Sequence, residues 1–293
     1  MRFSVWLKGI LAGACRMAPV MIVMVAIQAG LCSAKELHST NSSAIALYNE
    51  GLRLAEEENF NDALLKLRQA IDSDPNFLEA HLRYMDAFKG VGRGEEVVDM
   101  YGNLLKKNPD SPLFHFLYGR TVGDMNEKRA EFRKALELDP QFYFAQYGIG
   151  GSYMIEGRQD EAIVALNRAL EMKPDMVDAL VLQGSIYLDK GMPLQARDLL
   201  EKAATIDTAN SGIYLRLGQA YSQMERFESA EKAFYRAQTI SPKEPMIYYY
   251  LGLVSEMSGK NQAAVDNYQR FVELAPDHKF VSAVKKTLEK LKR

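Results

Sequence analysis

Small, bulky apolar and proline residues return at an almost constant interval of 34 positions along most of this chain. From Ser211 the order is Tyr214, Leu217, Gly218, Tyr221, Ala230, Phe234, Ala237 and Pro242, at positions 4, 7, 8, 11, 20, 24, 27 and 32 of the unit. That interval leaves few folds open. It accommodates two short antiparallel helices, each with one apolar stripe, and the stripes are buried only when units stack on one another. Gly at position 8 and Ala at position 20 let two helix backbones approach, while Tyr, Leu and Phe at 4, 11 and 24 fill the space between them. A glycine inside a helix costs about 1 kcal/mol against alanine, so its periodic return needs a packing reason. Proline at 32 stops the second helix and keeps it from fusing with the next unit.

The same frame divides the chain into seven repeats, 44–77, 78–111, 112–142, 143–176, 177–210, 211–244 and 245–278. The first carries Leu47, Gly51, Leu54, Ala63, Leu67, Ala70 and Pro75. The second is degenerate, with Met85, Phe88, Val97, Tyr101 and Leu104, yet Pro109 keeps the spacing. The third retains Gly119, Phe132, Ala135 and Pro140 but is three residues short, which predicts a shorter first helix or a tighter corner near Asp124 to Glu127. The fourth has Gly150, Tyr153, Ala162, Leu166, Ala169 and Pro174, and the fifth has Gly184, Tyr187, Ala196, Leu200 and Ala203, with Thr208 in place of proline. The seventh has Tyr248, Leu251, Gly252, Ala264, Tyr268 and Pro276. After it, Phe280, Val284, Leu288 and Leu291 recur at helical spacing among lysines, and residues 279–293 are expected to form an amphipathic helix capping the open end of the stack. The lysines there complement the C-terminal end of the helix dipole or lie on a solvated face; a basic patch for nucleic acid or membrane is the alternative.

This pattern resembles the tetratricopeptide repeat family over residues 44–278. The resemblance implies an all-α fold, a right-handed α-solenoid of seven helix pairs plus the capping helix, with a concave face lined by first-helix positions 2, 5, 9 and 12. Here the implied peptide-binding residues are Tyr48, Leu82, Phe116, Arg120, Phe144, Tyr147, Val181, Leu215, Arg216, Gln219, Tyr249 and Leu253. Position 5 also packs against the neighbouring helix, so simple core packing is the competing reading of its aromatics. An exposed share would suit an extended peptide or an amphipathic helix, with Arg120 and Arg216 holding a carboxylate or a backbone carbonyl. The Lys and Asn pattern with which chaperone-binding relatives hold a C-terminal carboxylate is missing, since Tyr48 and Leu52 occupy those positions in the first repeat.

Ahead of the repeats, Arg2, Lys8 and Arg16 precede an uncharged apolar run from Met17 to Ala34, the form of an export signal cut before Lys35 or retained as an inner-membrane anchor at 17–34. Lipidation at Cys15 or Cys32 is a third reading, though neither follows a good lipobox. Membrane association is expected only if the segment is uncleaved or lipidated. In either position the repeats are expected outside the cytoplasm, in the periplasm of a bacterial envelope. Residues 35–43 read as a polar tether and first helix cap.

Cleavage would remove three cations and take the net charge from −2 to −5, which argues against nucleic acid as a partner. It would also remove both cysteines. No HExxH, GxSxG or Walker motif occurs, so neither enzyme chemistry nor a cofactor is expected. Gly148, Gly150 and Gly151 lie within a repeat helix and do not form a phosphate loop, and Glu56 to Glu58 read as a solvated face. His81 and His115 both occupy position 4, as a partly buried pair or, more sharply, a metal or pH-sensing pair. The expected function is a non-enzymatic scaffold that captures segments of other proteins during assembly of an envelope machine for pili, secretion or polysaccharide export. The alternative is a regulatory or substrate-delivery subunit of a separate enzyme.

Overall fold

The computed structural model describes residues 38–291. Residues 1–34, expected to be an export signal or anchor, the start of the expected tether and the last two residues of the expected cap lie outside the described residues. Among the described residues there are fifteen helices and no strand, and no helix is long and apolar enough to cross a membrane. The helices are α1 (Ser42–Glu56), α2 (Phe60–Ser73), α3 (Leu78–Gly90), α4 (Glu96–Lys107), α5 (Pro112–Thr121), α6 (Met125–Leu138), α7 (Tyr143–Ile155) and α8 (Gln159–Met172). They continue as α9 (Val177–Asp189), α10 (Pro193–Ile206), α11 (Ser211–Gln223), α12 (Phe227–Ile240), α13 (Pro245–Met257), α14 (Asn261–Leu274) and α15 (Val281–Leu291). By contacts the chain divides inside α9 into a first unit ending at Ala179 and a second beginning at Leu180.

The starts of several helices are written in the sequence. Asn41 accepts from the backbone N–H groups of Ser43 and Ala44, Asp124 from those of Asn126 and Glu127, and Asn210 from that of Gly212. Proline opens α5, α10 and α13, where its missing N–H costs nothing.

In every pair but the second, where Met85 takes its place, the position 8 glycine faces the bulky residue at position 24. A β-carbon on Gly51 would stand 2.7 Å from Leu67 Cγ, and one on Gly150 would stand 2.8 Å from Leu166 Cγ. The same opposition sets Gly184 against Leu200, Gly218 against Phe234 and Gly252 against Tyr268. The alanines at positions 20 and 27 are fully buried in those pairs, including Ala63, Ala70, Ala162, Ala169, Ala196, Ala203, Ala230 and Ala237.

The turn between paired helices needs a left-handed residue at position 15. Gly92, Gly157, Gly191 and Gly259 supply it with φ from 69° to 75°, but in the first and sixth repeats it is Glu58 and Glu225, each at φ 59°. The following N–H closes the turn onto the first helix, as Asn59 N does to Leu54 O and Arg226 N to Tyr221 O, both at 2.9 Å. A side chain in this conformation costs about 1 kcal/mol. Glu58→Gly and Glu225→Gly should each stabilise the chain by about that amount in urea unfolding, whereas Glu57→Gly, at φ −82°, should give no gain. A loss of stability in the first two would contradict the strain argument.

The third repeat has no such turn. Its three missing residues come out of α5, which has 10 residues where α7, α11 and α13 have 13. Lys128 stands where five of the other six repeats have the position 20 alanine, and its Nζ donates to Gly119 O at 2.9 Å and Arg120 O at 3.2 Å, satisfying the carbonyls of the shortened helix. Repeats three and four are tied by Arg129, which is 3% exposed. Its guanidinium binds Glu156 at 2.8 and 3.1 Å and lies over the Tyr153 ring, with Arg158 also over that ring.

At the end of the second unit α15 buries Val281, Val284 and Leu288 in the same cluster as Leu251, Val254 and Phe271, with Phe280 and Leu291 against it. Phe280 stacks on Tyr249 with ring centroids 5.0 Å apart. The amphipathic pattern of the last segment is thus spent on covering the seventh repeat.

Candidate protein-binding groove

Position 4 is the first polar position to resolve. His81 Nε2 donates to Pro75 O at 2.9 Å, His115 Nε2 to Pro109 O at 2.8 Å and Tyr248 OH to Pro242 O at 2.7 Å. One device recurs: a polar tip six residues downstream ties each helix start to the preceding proline carbonyl. A carbonyl only accepts, so His81 carries its proton on Nε2 and Nδ1 accepts from the Tyr101 hydroxyl at 3.0 Å. Burial pushes His81 down to about 4, against the opposing effect of the Pro75 hydrogen bond. His115 Nδ1 meets Glu131 at 2.6 Å. The two histidines therefore face separate partners, and no group of three or more potential metal ligands occurs among the described residues.

The aromatic residues assigned to the groove are packed instead. Tyr48, Leu82, Phe116, Phe144, Tyr147, Tyr249 and Leu253 are all buried. Tyr48 lies against Phe77 with centroids 5.0 Å apart, Phe116 contacts Phe132, Phe142 and Phe144, and Tyr249 is enclosed by Phe271, Tyr268 and Phe280. Position 5 faces the seam between helices, so a large ring there fills the seam. Tyr147→Ala or Tyr249→Ala would open a core cavity rather than prune a binding surface.

Accessible surface at these positions is left to Arg120, Val181, Leu215, Arg216 and Gln219, all half-buried. In the first unit Arg120 lies over the Phe116 ring. Nearby, Asp86 is bracketed by Arg83 at 3.6 Å and Lys89 at 4.0 Å. Burial lowers Lys128 to about 8, and the charges of Arg120 and Lys89 add to the effect. Burial likewise lowers Lys89, with Asp86 opposing, and raises Asp86, with Lys89, Arg120 and Arg83 opposing. This wall is a compact, mainly cationic cluster that the periodic pattern did not disclose, because Lys128 occupies an alanine position. In the second unit Arg216 Nε donates to Ser185 Oγ, and Gln223 reaches Leu188 O at 3.3 Å. Leu215, Arg216 and Gln219 thus present an apolar residue beside two polar ones on α11. Also in the first unit, Arg133 of α6, Tyr153 of α7 and Glu161, Val164 and Arg168 of α8 line a cleft of ≈ 490 Å³.

Family models of the tetratricopeptide repeat match residues 160–211, 187–249 and 247–278. The repeats within residues 160–278 match tetratricopeptide repeats. Curated relatives include the Homo sapiens protein O-mannosyl-transferase TMTC3, 24% identical over 214 residues that make up 72% of this chain and 22% of that protein. Tetratricopeptide repeat protein 37 of Xenopus laevis is 26% identical over 80% of this chain and 16% of its own length. Anaphase-promoting complex subunit 3 of Schizosaccharomyces pombe is 24% identical over 61% of this chain and 28% of its own. The chain thus spans less than a third of the length of each of these relatives. Among solved structures, YrrB, described as a tetratricopeptide protein with an unusual peptide-binding site, superposes with TM-score 0.54 at 19% identity, covering 64% of this chain and 97% of that one. MamA gives 0.51 at 25% identity over 54% of this chain and 92% of its own. Pseudomonas aeruginosa pilF gives 0.52 at 16% identity over 84% and 98%. Tetratricopeptide folds are protein-binding scaffolds in most of their settings, and the all-helical pairs described above have that architecture.

Proposed function

We propose that this tetratricopeptide chain is a non-enzymatic adaptor that takes an extended or helical segment of a partner protein on its first-helix face, during assembly of a bacterial envelope complex. The carrying observation is the half-buried triplet Leu215, Arg216 and Gln219 on α11, which offers an apolar contact beside a guanidinium and an amide for a peptide backbone. The envelope setting rests on the basic and apolar residues 1–34. The likeness to pilF supports the fold of such a protein. A regulatory or delivery subunit of a larger enzyme complex is the second reading, favoured by the anaphase-promoting complex subunit among the relatives.

The test is crosslinked capture by the full-length, C-terminally tagged chain in envelope fractions of its own host, comparing wild type with Arg216→Ser/Gln219→Ala and with Arg168→Ala in the cleft of the first unit. Loss of an interfacial arginine is worth about 1.4 kcal/mol or more, so the groove variant should lose about tenfold or more of its capture while remaining folded. Arg168→Ala should capture as wild type. Equal capture by the groove variant and loss in Arg168→Ala would move the partner to the cleft beside Val164.

A further inference from the structure

The residues just before α1 do not simply lead into it. His38 Nδ1 meets Glu79 Oε1 at 2.6 Å, and its backbone N–H donates to Glu79 Oε2 at 3.2 Å, so both carboxylate oxygens are engaged by one residue. The other ring nitrogen is 3.1 Å from the Tyr143 hydroxyl, and the ring stands edge-on to Phe144 with centroids 5.1 Å apart. Those partners are 41 and 105 residues away in sequence. Glu79 and Phe144 occupy position 2 of their repeats, one of the positions assigned to the concave face. Glu79 is only 6% exposed, and a carboxylate buried to that degree needs a donor. Ser39 is buried as well, and Asn41 Nδ2 fastens the far end of the segment to Ser73 O at 2.9 Å. Residues 38–41 form a strap, tied at one end to the first helix pair and at the other to α3 and α7.

We propose that Glu79, Tyr143 and Phe144 form a recognition site for a histidine-bearing extended peptide, and that residues 38–40 of the same chain fill it. The site supplies a two-point acceptor for a backbone N–H and an imidazole N–H, a hydroxyl for the second ring nitrogen, and an aromatic ring against the imidazole. Lysine cannot meet the hydroxyl and the carboxylate with one planar ring. A short covalent connection gives the strap an effective concentration on the order of mM, so a peptide from another protein must displace it. Its regulatory meaning rests on the reading of this face as a binding surface.

The full-length chain and its His38→Ala variant decide the matter in two measurements. Hydrogen exchange should be faster in the variant at residues 39–41 and in the first turn of α7, and unchanged in α11 to α15. A fluorescent peptide with the sequence of residues 35–41 should bind His38→Ala about tenfold or more tighter than wild type, and the same peptide with alanine for histidine should bind neither. Adding Glu79→Gln to His38→Ala should remove the binding; should that double variant fail to fold, the two peptides on His38→Ala alone still decide. Identical exchange in wild type and variant, or a peptide that binds both equally or neither, overturns the proposal. The exchange measurement needs no partner, so its failure is distinguishable from a failure of Arg216 and Gln219 to matter for capture.

Discussion

Gly218→Leu should destabilise the second unit by about 2 to 3 kcal/mol. The glycine faces Phe234, and even a β-carbon there would overlap the ring. Whether the ring can move decides the outcome, and it is held: Phe234 is fully buried and lies nearly parallel to Tyr250, at an interplanar angle of 9° and a centroid distance of 5.6 Å. Leucine regains about 1 kcal/mol of helix propensity over glycine, which offsets only part of the overlap. Urea unfolding followed by circular dichroism would show the earliest transition moving to lower denaturant. A curve superimposable on wild type would mean that α11 and α12 do not touch through Gly218.

Acid should weaken the chain through His81 before it protonates most carboxylates. The folded chain holds this imidazole neutral down to about pH 4, whereas the unfolded chain binds the proton near 6.5. The contribution is therefore intact above about pH 6.5 and is lost as pH falls toward 4, by about 2 kcal/mol at pH 5. His278 is also pushed down, by burial and then by Lys279, and its exposure makes it a smaller contributor of the same sign. The comparison that isolates His81 is His81→Gln, which should start from lower stability at pH 7 because the Pro75 and Tyr101 hydrogen bonds are altered. Its stability should then fall by about 2 kcal/mol less than wild type between pH 7 and pH 5. Equal losses in the two chains would show that His81 protonates freely in the folded state.

What could be read from the sequence and what could not follow from the range of the interactions. Gly51 opposite Leu67 and Gly150 opposite Leu166 repeat a contact made within one helix pair, so a periodic pattern discloses it. The three-residue deficit of the third repeat was visible and left two readings open, a shorter first helix or a tighter corner; the 10-residue α5 takes the first. Tyr249 was assigned to the groove because periodicity gives only the side of a helix on which a residue lies. Its burial depends on Phe280, from a segment outside the repeat. Tyr147 was misplaced for the same reason, since the seam between helices and the open face lie side by side on α7. Lys128 was overlooked because it stands in an alanine's place, and Glu58 because a left-handed residue other than glycine leaves no mark in composition. The strap was illegible: His38 meets Tyr143 across 105 residues, and no local rule connects a tether to the start of a seventh helix.

The Arg129 contact bears on how an array of this kind can lengthen or shorten over time. Duplication and deletion are neutral when each unit's faces match those of any neighbour, as glycine, alanine and leucine seams do. The third repeat breaks that interchangeability, because its buried guanidinium is neutralised by Glu156 and covered by Tyr153, both on the fourth. A copy of the third repeat placed before any unit without those two residues would strand a buried charge, at about 3 to 5 kcal/mol. The third repeat can therefore be kept or transplanted only with the fourth behind it, whereas the fourth, whose Glu156 also lies near Arg158, does not depend on the third.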